Sequence, residues 1–319
     1  MMALRFASRK TAYMEFRDYV IRYVAPKRLS APVMAGEVYL PPGIVRNGVI
    51  QDKRAFETIL RSSAEHWGIR HHKVKFLVPD TYVAVRRQLI PNDITDEEMR
   101  GYIYLELGRS IHLPFDNPTF DFTLTGEKEG KRELIIFAAP EEAVQSFANA
   151  LERAKLHPAG ADIAALALYQ LHEDMGQAVK KQELLLLKLD VFHATVTIFH
   201  EGYPVFMQHE TLLAENMAEV TAEGIVILDE GAVMRAMDEV LEELDRILHF
   251  YQYSFTAGNG TITSLLVTGD HPMLPHIAAS IQGRFTLQVQ QMQYPVQDLG
   301  GEALAVKYYP ALGLAYGGG

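Results

Sequence analysis

One order of elements occurs twice in this chain, and that repetition limits the fold more than anything else in the sequence. Residues 4–24 have the alternation of two strands, LRFAS and then KTAYMEFRDYVIRYV, with Arg17 and Asp18 at a turn. A third strand is expected near 34–40, ended by Pro41-Pro42-Gly43, and Asn47-Gly48 has the type I′ hairpin signature because both residues tolerate positive φ. A helix follows over 53–67, with Phe56, Ile59, Leu60, Ala64 and Trp67 on one face. Residues 184–189, 194–199 and 203–209 restart the pattern with three strands, and residues 232–255 give the longest helix. Two related α/β halves are the simplest reading. A chain of 319 residues with 48% hydrophobic content can bury two cores, and Lys180 and Lys181 are the expected boundary between domains 1–180 and 181–319.

The first half carries extra material. Residues 77–122 read as strand, turn, helix, loop and strand, the core of a small α+β insert placed at about 77–135. Thr95 followed by Glu98 is a capping box, Met99, Tyr102 and Ile103 make the apolar stripe, and Gly108 stops the helix. Ile111, Leu113, Pro114 and Phe115 then form a stiff apolar loop. Such a loop either plugs the insert onto the body or lines a groove for a partner peptide. Residues 133–139 are expected to rejoin the body as a strand, and helices are expected near 140–154 and 162–175. Further on, 264–268 reads as a buried strand ended by Gly269, and 274–282 as a helix. Gly258-Asn259-Gly260 reads as a turn.

Charge is divided unevenly. From Glu183 onward there are 17 acids and 5 bases, whereas residues 1–182 hold 23 acids and 25 bases. So acidic a chain without a nucleic-acid motif is not a nucleic-acid binder. The basic N-terminal run, with Arg5, Arg9, Lys10, Arg17, Arg22, Lys27 and Arg28, is expected to be a solvated strand edge. No segment approaches the ~18 apolar residues of a membrane span, and zero cysteines agree with a reducing cytosol.

Catalytic signatures are missing. There is no Gly-x-Ser-x-Gly elbow, Walker loop or dinucleotide fingerprint. His66, His71 and His72 lack the spacing that sets two imidazoles on one helix face, and the acids from Glu239 to Asp245 lie opposite an apolar stripe as a solvated face. No metal site and no enzymatic activity are expected.

Several stretches, in this order, resemble the PilM family of type IV pilus assembly proteins, which share the actin-like (ribonuclease H-like) duplicated fold of FtsA. They are LPPGIVRNGVIQDK, VPDTYVAVRRQLIP, IHLPFDNPTFDF, FAAPEEAVQSFANALERAKLHPAGADIAALAL, EELDRILHFYQY, LLVTGD and PALGLA. The resemblance implies a cytoplasmic adaptor, peripheral to the inner membrane, that holds the N-terminal tail of PilN, a single-span membrane protein, between the insert and the first half. Ile111, Leu113, Pro114 and Phe115 would then lie near that groove. It also implies ATP and Mg²⁺ held by two Asp-x-Gly hairpins, and there this sequence departs from the pattern. LRFASRKTA, taken as the first hairpin, has neither residue; KLDVFHATVT offers Asp190 but puts Phe192 at the glycine position, with Lys188 as the acidic position under a one-residue shift. Of the adenosine-side glycine pair only Gly269 is kept, next to Asp270. A degenerate nucleotide site, marked by Asp190 and Gly269 and without a bound cofactor, is the expectation; a nucleotide-switched actin-like protein is the alternative.

Overall fold

A computed structural model describes residues 10–26, 32–179, 182–214, 217–255 and 262–317. The first half is a five-stranded sheet of β1 (Thr11–Phe16), β2 (Val20–Pro26), β3 (Val33–Tyr39), β6 (Lys73–Val78) and β10 (His157–Ile163), in the order β10-β6-β1-β2-β3. Between β3 and β6 come the hairpin β4 (Val45–Arg46) and β5 (Val49–Ile50) and then helix α1 (Lys53–His66). The second half is a sheet of β11 (Leu184–Leu189), β12 (His193–His200), β13 (Tyr203–Thr211), β16 (Ser264–Gly269) and β17 (Gln288–Gln291), in the order β13-β12-β11-β16-β17. In each, three antiparallel strands are followed by two parallel additions. The repeat in the sequence is therefore a repeat in topology.

The insert folds as an antiparallel sheet of β7 (Ala84–Ile90), β8 (Pro118–Lys128) and β9 (Lys131–Pro140), ordered β7-β9-β8, under helix α2 (Asp96–Glu106). Thr95 and Glu98 form the expected capping box. The strand expected to rejoin the body is instead the centre of this sheet, so the insert runs to Pro140 rather than 135. Residues 134–136 are all buried because α2 covers one face of β9, at Leu134 and Ile136, and Val78, Val83 and Ile163 cover Ile135 on the other, which is why this run reads as a body strand. Helix α3 (Glu141–Arg153) then returns to the first core, stacking Phe147 on Phe16 at 5.0 Å.

Strand β10 is absent from the sequence reading, and the helix expected from 162 is α4 (Ala164–Asp174). Its sequence HPAGADI has turn composition, and Pro158 is tolerated because β10 is an edge strand with a register shift beside it. The first strand, LRFAS, the pair Lys180-Lys181 and the turn Gly258-Asn259-Gly260 lie outside the described residues. Strands β14 (Ala218–Val220) and β15 (Ile225–Ile227) form a small hairpin before helix α5 (Glu230–Phe250), whose face of Val233, Met237, Val240, Leu244 and Ile247 covers the second sheet. Helix α6 (Leu274–Arg284) shares that core. Helix α7 (Tyr309–Tyr316) does the opposite, packing on α4 and on β1, β2 and β6. Leu312 and Tyr309 share a core with Leu168 and Leu171 of α4, Val24 of β2 and Leu186 of β11. Gly313 allows this: a Cβ there would lie 2.0 Å from the Ala167 carbonyl oxygen.

Candidate functional site

Three turns meet between the two sheets. The β1–β2 turn brings Arg17, Asp18 and Tyr19, the β11–β12 turn brings Asp190, Val191 and Phe192, and Asp270 and His271 follow β16. Among the described residues the first hairpin of this half turns at Phe16-Arg17-Asp18-Tyr19, with Phe16 paired to Ile21, whereas most of LRFASRKTA lies outside the described residues.

Cationic side chains fill the meeting point. Arg17 donates to Glu15 Oε1 at 2.7 and 2.9 Å and to Asp270 Oδ1 at 2.8 Å, and it also pairs with Asp190. The Tyr19 hydroxyl lies 2.9 Å from both Asp270 oxygens, and Arg22 Nη1 is 2.7 Å from Asp270 Oδ2. From the opposite wall Lys188 Nζ bridges Asp80 Oδ2 and Asp190 Oδ2 at 2.6 Å each. Arg22 also reaches Glu37 at 2.9 Å, which Lys307 holds at 2.5 Å. Arg17 and Arg22 are 8% and 1% exposed, so they are not the solvated edge that composition suggested. Their burial is possible because each guanidinium is neutralised by two or more carboxylates.

These charges set one another. Burial alone would raise the Asp270 carboxyl, but Arg17 and Arg22 outweigh it and hold it well below the usual carboxylate range. Asp80 is likewise held low by Lys188 against its burial. Lys188 stays above its ordinary value because Asp190 and Asp80 overcome burial and the repulsion of Arg17. Glu15 is raised, since burial dominates and its Oε2 has no hydrogen-bond partner. His209 and His271 are depressed by burial.

A pH dependence follows. Depressed carboxylates contribute stability that is complete above the unfolded carboxylate range and lost as pH falls through it, and depressed histidines contribute stability lost once pH drops below about 6.5. Glu15 and Asp162, both raised by burial, work in the opposite sense and are outnumbered by Asp80, Asp270, Glu37, His172, His209 and His271. Urea midpoints are expected to fall from pH 7.5 to 5.5 and more steeply towards pH 3.5; a midpoint that rises on acidification would contradict the charge assignment.

The inner end of the cleft, where the three turns meet, leaves no room for a nucleotide's phosphates. The space left among Glu15, Asp18, Asp80, Lys188, Asp190 and Phe192 is about 50 Å³, enough for water but not for a polyphosphate. Asp190 is already held by Arg17 and Lys188, and Phe192 packs edge-on against Tyr19 with centroids 5.5 Å apart. Gly269 has φ +132°, and a Cβ there would lie 2.0 Å from the Leu189 carbonyl oxygen, so strand packing accounts for the glycine. The Lys188 ammonium bridges two carboxylates as a bound cation would. Among the described residues no cluster of three or more His, Asp or Glu is placed to hold a metal.

The loop residues of the insert separate. Ile111 is buried with Ile90, Met99, Ile103 and Leu134 in the core of the insert, so its side chain lines no groove. Leu113 and Phe115 are half-buried and Pro114 is exposed. Among the described residues, β8 and β10 each have one edge without a strand partner. Burial raises the Asp162 carboxyl of β10, and Asp121 of β8 adds to it against the Ile163 amide and Lys75. Arg100 of α2 fixes β8, donating to the Phe120 carbonyl at 2.9 Å and to Asp121 at 2.6 Å. A cavity of about 620 Å³ opens beside Asp162, lined by Leu166, Tyr169, Glu173, Glu201 and Tyr203. Sequence pattern singled out neither edge, because HPAGADI carries no strand signal. The clasp residues did leave one: Lys188 interrupts the apolar run LLLLKL, and a charge there needs a buried partner.

A family model described as "Type IV pilus assembly protein PilM" matches residues 29–223. Among solved structures, a chain of the "PilM-PilN type IV pilus biogenesis complex" superposes with a TM-score of 0.80 at 18% identity, covering 97% of this chain and 98% of that one. A Bacteroides thetaiotaomicron protein with actin-like ATPase fold and unknown function gives 0.52 at 9% identity, covering 98% of each chain. MreB 5 of Spiroplasma citri bound to AMPPNP gives 0.51 at 9% identity, covering 97% and 96%. No curated protein matches. The fold is actin-like.

Proposed function

This chain belongs to the PilM family of type IV pilus assembly proteins, and from that premise we propose that it is a non-catalytic adaptor of the pilus assembly platform. It holds an extended N-terminal tail of a PilN-like inner-membrane protein, is recruited to the cytoplasmic face of the membrane through that tail, and needs no nucleotide to do so. Among the described residues no helix is long and apolar enough to cross a membrane.

The observation that carries this reading is that β8 and β10 each keep, among the described residues, one strand edge without a partner, with a cavity of about 620 Å³ beside Asp162 of β10. An extended peptide can add to such an edge by main-chain hydrogen bonds, with side-chain pockets supplying selectivity. Asp162, beside that cavity, favours a basic residue on the tail. The half-buried Leu113 and Phe115 supply apolar contact at the insert. Independence from nucleotide is supported by Arg17, Lys188 and Phe192, which take the space that phosphates and a metal would need.

Calorimetric titration with a synthetic peptide of the partner's N-terminal segment, with and without Mg-ATP, tests both halves of the proposal. Equal binding in the two conditions is expected, weakened about tenfold or more by Asp162→Asn and by Phe115→Ala. Binding that appears only with Mg-ATP would establish a nucleotide-switched protein instead. Binding untouched by either substitution would move the tail elsewhere.

A further inference from the structure

A second cavity, of about 600 Å³, opens at the mouth of the cleft and shares no lining residue with the channel at Asp162. Its two walls come from different halves of the molecule. Leu40, Pro42 and Val45 form one, Leu213, Ala218 and Leu228 the other, and Tyr19 and Phe192 make an aromatic floor. Its size is that of a ligand or side-chain pocket. Leu228, just past β15, is 58% exposed at the rim, and Val226 within β15 is 52% exposed. Their neighbours Ile225 and Ile227 pack into the second core, so the hairpin spends its inner face on folding and leaves its outer face uncovered.

Acids predominate on this surface, with Arg46 between the lining residues Val45 and Asn47 and Arg235 paired with Asp229 at 3.6 Å. Asp18 and Glu219 line the cavity, and among the described residues no lysine or arginine does. Glu223, Asp229 and Glu230 follow on the exposed side of the same hairpin and at the start of α5. Asp18 is held in place by the Asn47 and Gly48 amides at 2.5 and 2.8 Å. Such a surface repels phosphates and anionic lipid and attracts a segment that is apolar on one side and basic on the other.

We infer that the cleft mouth, between the Leu40–Val45 wall and the β14–β15 hairpin, is a docking site for a basic amphipathic segment of a partner protein. The site is separate from the β8 and β10 edges assigned to the PilN-like tail. Apolar side chains of the segment enter between the two halves, against Phe192 and Leu213, and its basic residues lie along Glu219 and the acids beyond. Because both walls contribute, occupancy fixes the halves relative to each other.

The probe is a fluorescently labelled Leu/Lys peptide of about twelve residues with helical spacing, compared by anisotropy with its Leu/Glu counterpart. Wild-type protein is expected to bind the Leu/Lys peptide and not the Leu/Glu one. Leu228→Lys and Glu219→Lys, both at exposed positions that folding does not use, are expected to weaken binding about tenfold. Glu239→Lys, which changes charge equally on the exposed face of α5, is expected to change it less than about twofold. An equal loss at Glu239→Lys would reduce the effect to general attraction and overturn the assignment. So would unchanged affinity in Leu228→Lys, or no binding to the wild-type protein.

Discussion

Replacing Asp270 with alanine is expected to destabilise the fold by about 3–5 kcal/mol, the cost of removing one partner from a buried ion pair. Asp270 neutralises two guanidinium groups at once, and both are almost fully buried. Arg17 would keep Glu15 and Asp190, but Arg22 would retain only Glu37 and a distant Glu15, 4.0 Å away. The Tyr19 hydroxyl would lose its acceptor as well. The single tryptophan, Trp67, stacks on Tyr23 with centroids 4.4 Å apart and so reports on the first half. Its fluorescence across a urea titration measures the loss. Far-UV circular dichroism on the same samples tests whether the second half unfolds with it. Asp270→Asn keeps the size and an acceptor for Tyr19 and should recover part of the loss; the remainder measures charge alone. A midpoint unchanged by alanine would mean that water, not Asp270, solvates the arginines.

The second large effect is expected at Gly313, where alanine should cost at least about 3 kcal/mol, the upper end of overpacking penalties. The alanine Cβ would lie 2.0 Å from a main-chain oxygen of α4, and no side-chain rotation relieves a clash with backbone. Helix α7 would have to move away from α4 along its whole buried length. Gly101 in α2 is the control, since its Cβ position is open and the residue is exposed. Alanine there should stabilise the insert by about 0.5–1 kcal/mol through helix propensity. Thermal melts of the two variants should therefore shift in opposite directions.

What could be read from the sequence divides along a physical line. Local grammar was legible: the Asn47-Gly48 turn has both residues at positive φ, Thr95 and Glu98 close their capping box, and the three strands of the second half fall within two residues of their expected bounds. These features are decided by neighbours along the chain. Pairings between distant residues were not legible. Arg17 meets Asp270 across 253 positions, and nothing in the alternation FRDYVIR distinguishes an arginine that faces water from one enclosed by carboxylates. Ile111 shows the same difficulty at shorter range, because an apolar residue before a proline suits either a groove or a core, and only the position of β9 selects the core. Strand β10 was hidden for a third reason, since an edge strand tolerates proline and glycine that a central one would not.

Helix α7 also constrains how the protein can be made. The hydrophobic face of α4 that it covers, at Leu168 and Leu171, leaves the ribosome long before residues 309–316 are translated. At about 5–20 residues per second, that face stays open for many seconds while the second sheet is still being synthesised. The first half can form its own core around Phe16, Phe56 and Phe147 in that interval, but its other side cannot close. A nascent chain of this topology therefore passes through a half-finished stage with a sticky helix on display. Ribosome-bound chaperones should engage it there, and chains halted before residue 309 should be degraded faster than their length alone would suggest.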